Sequence, residues 1–264
     1  MKLAIMLVAL PAMASAVSPF GGTVQTGATS PFDGKWTVRV DTIASSKNYQ
    51  FTLSNGVYEC QSCTPQDKVA ADGLDHYVAG HHDYDSVSAV ASDAHTVTLV
   101  YKLRGETIWQ EVDKVSADGK SITATQSWTN AGKPFDGTVV LTRTAAAPAG
   151  AHAASGSWKM TGAAALTTNA LTRTLTSKAN DVMDVACSAD TVEMTVDGAE
   201  VTRADSSTVA LKRIDASTLE ETTRVNGAIT EINRMTLSPD QKFISVLDTN
   251  VERGRTIAYT LEKQ

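Results

Sequence analysis

The sequence carries no excess of basic charge, no long apolar run beyond its first residues and none of the short signatures of the common catalytic sites. Its 23 lysines and arginines stand against 29 aspartates and glutamates, a formal charge of −6. Such a chain offers no basic footprint to a phosphate backbone, so nucleic acid is excluded as a partner. There is no Gly-x-Ser-x-Gly elbow, no His-Glu-x-x-His and no glycine-rich dinucleotide fingerprint. Gly119-Lys120-Ser121 has Lys114 where a phosphate loop requires its first glycine, and reads as a hairpin turn. Three cysteines in 264 residues are too few for a disulfide-built scaffold, and 42% hydrophobic residues are enough for a packed core. Asn-x-Ser/Thr is absent.

The N-terminus supplies the one compartment signal. Lys2 is followed by an apolar stretch from Leu3 to Leu10 and by the small-x-small triplet Ala14-Ser15-Ala16. A signal peptidase reads that order, so residues 1–16 are expected to be a signal peptide and the protein to be periplasmic or secreted, with no transmembrane segment left in it. In an oxidising destination some pair among Cys60, Cys63 and Cys187 is expected to close, leaving one thiol over.

The body is duplicated. Asp93, Thr96, Gly105, Ser116, Asp118 and Lys120 fall on Asp215, Thr218, Gly227, Ser238, Asp240 and Lys242 at a constant offset of 122, and Gly34-Lys35-Trp36 falls on Gly156-Ser157-Trp158 at the same offset. Residues 17–30 read as a flexible lead, 31–143 as the first domain, 144–155 as a linker of small residues with nothing to pack, and 156–264 as the second domain. Within each copy apolar residues alternate over short runs, as at Val97, Leu99 and Tyr101, and pairs such as Asn55-Gly56, Arg104-Gly105 and Asn226-Gly227 mark tight hairpins. The expected fold is all-β: two tandem antiparallel up-and-down barrels, whose closure removes exposed sheet edges.

Phe32-Asp33-Gly34-Lys35-Trp36 and Gly156-Ser157-Trp158 resemble the Gly-x-Trp that opens the first strand of lipocalins. In that family the Trp closes one barrel end under a late basic residue, a place that Arg143 and Lys263 would fill. With Tyr58-x-Cys60-x-x-Cys63, Asp72-Gly73, His76, Gly80-His81 and Ser116-Ala117-Asp118-Gly119-Lys120, the chain is similar over nearly all its length to uncharacterised exported bacterial proteins with tandem lipocalin-like repeats. The resemblance implies fold and compartment, and no activity.

Chemistry-bearing residues gather in the first copy. Cys60, Cys63, His76, His81 and His82 could ligate zinc or copper, soft thiolates and imidazoles at short spacing being what those ions select. Cys60 and Cys63 could instead form a structural disulfide, or a redox-active one. Trp109, Trp128 and Tyr84 are the candidate walls of a ligand site. The reading is a non-catalytic exported binding protein for a small hydrophobic molecule, with no cofactor required. A metal-dependent enzyme or metal-binding protein, and a structural or interaction module of the cell envelope, stand beside it.

Overall fold

A computed structural model describes residues 30–81, 83–130, 133–166, 171–187, 190–203, 206–251 and 253–264. The expected signal peptide, residues 17–29, His82 and the side chain of Cys187 lie outside what it describes. The described chain is all β. Strand β1 (Gly34–Ser45) is followed by β2 (Tyr49–Ser54), β3 (Val57–Cys60), β4 (Asp67–Ala70), β5 (His76–Tyr77), β6 (Ser86–Ala91), β7 (Thr96–Leu103), β8 (Glu106–Val115), β9 (Ser121–Asn130) and β10 (Lys133–Ala145). The second half holds β11 (Gly156–Leu166), β12 (Thr172–Ser177), β13 (Val182–Cys187), β14 (Asp190–Thr195), β15 (Asp197–Thr202), β16 (Thr208–Asp215), β17 (Thr218–Val225), β18 (Ala228–Leu237), β19 (Phe243–Asn250) and β20 (Arg255–Lys263).

Two nearly closed antiparallel sheets result, ordered β4-β3-β2-β11-β10-β9-β8-β7-β6-β5 and β14-β13-β12-β1-β20-β19-β18-β17-β16-β15. The hairpin signals act locally. Asn55-Gly56, Arg104-Gly105 and Asn226-Gly227 all take positive φ at both positions, the backbone whose twist matches that of the flanking strands. The repeat survives to the level of single hydrogen bonds. Asp118 accepts from the Ser116 hydroxyl at 2.7 Å and from Lys120 N at 3.0 Å, and Asp240 accepts from Ser238 and Lys242 N at 2.6 and 3.2 Å.

The sheets do not follow the repeat. β1, in the first copy, lies between β12 and β20 of the second, while its counterpart β11 lies between β2 and β10 of the first. The expected domains 31–143 and 156–264 have therefore exchanged their first strands. The physical reason is that β1 and β11 carry the same Gly-x-Trp pattern and fit the same edge, so pattern alone does not choose between them. The short connection 146–155 then favours pairing β11 with its sequence neighbour β10, the cheaper loop to close. By contacts, the described residues divide into a first unit, 40–166 with 253–258, and a second, 30–39, 171–251 and 259–264.

The exchange crosses the tryptophan caps. Arg143 of the first copy lies over Trp158 at 3.9 Å, and Lys263 of the second lies over Trp36 at 5.1 Å. Both indoles are fully buried, and each donates from Nε1 to the carbonyl four residues back, Ala154 and Phe32, at 2.8 Å. The expected linker is part of this cap. Ala145 belongs to β10, Ala154 and Ser155 are buried, and His152 N donates to Leu53 O at 2.8 Å. Arg143 donates to the carbonyls of Ser155 and Ala153 at 2.7 and 2.6 Å. Small residues here admit the close approach of backbone to guanidinium, so their composition reflects packing rather than looseness.

The glycine of Gly-x-Trp has its own reason. Gly156 has φ +128°, and a Cβ there would lie 2.6 Å from the Ala145 carbonyl oxygen, whereas at Gly34 (φ +139°) it would meet only the flexible end of Lys263, at 2.9 Å. Gly156→Ala is expected to cost more than Gly34→Ala, the former by more than about 1 kcal/mol, as measured by urea unfolding. Equal costs would show that side-chain crowding is not what sets them.

Candidate functional site

Arg143 and Trp158 close the end of the first barrel near the hairpin after β8, where Arg143 also bonds the Gly119 carbonyl. The remote end is polar. Alternation along β8 turns Trp109, Glu111, Asp113 and Val115 inward, all buried, and on β9 it turns in Ile122, Ala124 and Gln126. Register sets Glu111 opposite Gln126, whose Nε2 donates to Glu111 Oε2 at 2.6 Å. Trp109 faces Trp128 across the same strands, and the two indoles stack at 5.1 Å and 22°. Tyr101 on β7 flanks Trp109 on the other side.

Two carboxyl groups in this interior cannot both ionise cheaply. Burial first, and Glu111 second, push the Asp113 carboxyl well above the usual carboxylate range. The pair therefore holds a proton. Burial likewise raises Tyr49, Tyr58 and Tyr101, with Glu111 adding to each, so Glu111 lies within electrostatic reach of all three rings.

A second polar group stands beside the first. Asp67, at the start of β4, is buried; its Oδ1 hydrogen-bonds His81 Nε2 at 2.8 Å and its Oδ2 accepts from the Tyr84 hydroxyl at 2.7 Å. His81 stacks on Tyr84 at 4.1 Å. Burial and then Asp67 raise the Tyr84 phenol, which keeps its proton as the donor to that carboxylate. Over these rings lies a cleft lined by Tyr49, Tyr84 and Tyr101, with Lys47, Arg253 and Arg255 as its cations and Cys63 on its wall, enclosing about 30 Å³. Arg253 is bonded to Asp83 at 2.7 Å.

Among the described residues the expected metal set does not come together. Cys60 and Cys63 are joined as a disulfide, which removes both thiolates as ligands. His76 bonds the exposed Asp72 at 2.8 Å on β5, and His81 is committed to Asp67. Among the described residues no group of three or more His, Cys, Asp or Glu side chains could hold an ion. Of the expected ligand walls, Trp109 and Trp128 do meet at the polar interior; Tyr84 belongs to the neighbouring cleft.

Asp67, Glu111, Asp113 and Gln126 were not among the residues expected from sequence. The signal for three of them was present: Trp109-x-Glu111-x-Asp113-x-Val115 sets two acids in phase with two large apolar residues, and Ile122-x-Ala124-x-Gln126 repeats the pattern. Asp67 had no such signal, because β4 is only four residues long.

The second unit has its own polar interior with the parts rearranged. Asn233 and Asp248 face one another across β18 and β19 as Glu111 and Gln126 do in the first, acid and amide having changed places. Removal from water, then Asp248 and Glu221, raise Glu231 well above its usual range against the pull of Arg203. Compared with protein-family models, with curated proteins and with solved structures, the chain matches none.

Proposed function

We propose that the protein is an exported, non-catalytic binding protein that takes one small polar molecule at the end of its first barrel remote from Trp158. The observation that carries this reading is a surplus of acceptors. Beyond the contact between the two carboxyl groups, Glu111 Oε1, both Asp113 oxygens and Gln126 Oε1 are buried without a hydrogen-bond partner, against Trp109 Nε1 alone on the donor side of this cluster. Each buried group left unpaired costs about 1–3 kcal/mol, and a ligand ammonium brings three donors to where acceptors are in excess.

The surroundings narrow the class. The stacked Trp109 and Trp128 are a surface on which a cation settles, and Lys47, Arg253 and Arg255 at the cleft suit a carboxylate. A small zwitterion of the amino-acid kind answers both. A wholly apolar ligand, the expectation from sequence, would leave the carboxyl groups without donors. Entry of the ammonium releases the proton held by the pair, so binding strengthens as pH rises. The resemblance of the sequence to tandem lipocalin-like exported proteins supports this reading through the barrel fold alone.

Calorimetric titration with phenylalanine, phenethylamine, acetate and palmitate tests it. Phenylalanine is expected to bind more tightly than phenethylamine or acetate, with affinity falling at least tenfold in Glu111→Gln, a variant first shown to melt cooperatively. Uptake of palmitate alone, or of none of the four, would refute the assignment.

A further inference from the structure

We infer that Cys60–Cys63 is an exchangeable disulfide that accepts electrons from a dithiol partner at Cys63. This does not rest on the ligand reading. Three observations carry it. The two sulfurs are unequal: Cys60 is fully buried at the end of β3, while Cys63 is half-buried in the turn that follows and stands on the cleft wall. The cleft brings Lys47, Arg253 and Arg255 to the side where Cys63 lies, in a protein whose net charge is −6. The bridge spans a sequence separation of 3, so it removes little freedom from the unfolded chain and acts weakly as a staple.

The charged and titratable groups that share the cleft with Cys63 are these three cations and the phenols of Tyr49, Tyr84 and Tyr101; behind them Asp83 is paired with Arg253, and Asp67 with His81 and Tyr84. The lining of the cleft itself carries three cations and no acid, Arg253 being paired to Asp83 behind it. A partly exposed cysteine beside lysine and arginine is the environment that lowers a thiol's pKa and holds it as thiolate, which favours the reduced form of the pair.

The step is a thiol–disulfide exchange. A partner thiolate attacks Cys63 Sγ, forming the mixed disulfide, and the Cys60–Cys63 bond breaks with its electron pair on Cys60 Sγ, which takes up a proton. The Ser62 hydroxyl, 3.7 Å from Cys60 Sγ, is placed to donate to the departing thiolate. The partner's second thiolate then attacks its own sulfur of the mixed disulfide, releasing Cys63 as thiolate. The partner loses two electrons and becomes a disulfide; Cys60 and Cys63 gain two and become thiols.

The test uses the full chain with Cys187→Ser, so that the remaining thiols are the pair in question. Millimolar glutathione is expected to open the bridge in the folded protein, and iodoacetamide, read by peptide mass, to label Cys63 at least tenfold faster than Cys60 at pH 6. Its labelling rate should titrate at least one pH unit below the ordinary cysteine value near 8.5, and that midpoint should rise in Arg255→Gln. Exposed to oxidised glutathione, Cys60→Ser should take up one glutathione per chain by exchange, with reduced glutathione leaving, and Cys63→Ser should take up none. A bridge that opens only in denaturant, a Cys63 thiol that titrates near 8.5, or equal capture by both variants would overturn the assignment.

Discussion

Trp158→Ala is expected to unfold the sheet built mainly from the first copy, although Trp158 belongs to the second. Truncating a fully buried tryptophan costs about 3–5 kcal/mol, and here it also removes the ring beneath Arg143 and the indole donor to Ala154. Trp36→Ala should act in the opposite half, since Trp36 lies under Lys263 and its strand pairs with β12. Hydrogen exchange resolved by peptide reads this directly. Trp158→Ala should lose protection over 49–145 while 208–250 keeps it, and Trp36→Ala should do the reverse. Loss confined to the copy that carries each mutation would mean that the strands are not exchanged.

Asp113→Asn is expected to stabilise the protein at neutral and alkaline pH and to flatten its dependence on pH. Asp113 binds its proton more tightly in the folded barrel than in the unfolded chain. Its contribution is therefore fully present below the unfolded value near 3.9 and is lost as pH rises toward the folded one. Within that window one such proton gives a slope of about 1.4 kcal/mol per pH unit. Glu231 acts in the same sense in the second unit. Asp118 and Asp240 act oppositely: Ser116 and Ser238 hydroxyls hold them below the usual range, so what they contribute is lost as pH falls into the acid. Asparagine at 113 keeps the shape of the protonated acid and an amide donor toward Glu111. Urea unfolding between pH 5 and 9 measures the outcome; an unchanged slope in the variant would show that Asp113 does not hold the proton.

How much of this was legible depended on whether the determinant was local. The turn pairs at Asn55, Arg104 and Asn226 and the alternation on β7 act within a few residues, and the structure has them where the sequence places them. Cys60 and Cys63 were readable as a possible disulfide, but spacing could not choose between bridge and ligands. The metal reading of His76 and His81 failed because each imidazole finds a carboxylate, Asp72 or Asp67, that only the folded backbone brings near. Trp109, expected as a candidate wall, is buried and stacked on Trp128; the acids beside it were in phase with it, yet acids on a strand read first as its solvent face.

What the sequence determined by itself is therefore the set of strands, their turns, which side chains share a face and the fact of duplication, since each depends on φ preference and a period of two. The tertiary structure alone decided which copy of a duplicated strand enters which sheet. Two strands with the same pattern are equally good local solutions, and only loop closure and the packing of Arg143 and Lys263 on their indoles separate them. It also decided that acids facing inward would share a proton, because that outcome depends on how closely their carboxyl groups approach once water has been excluded.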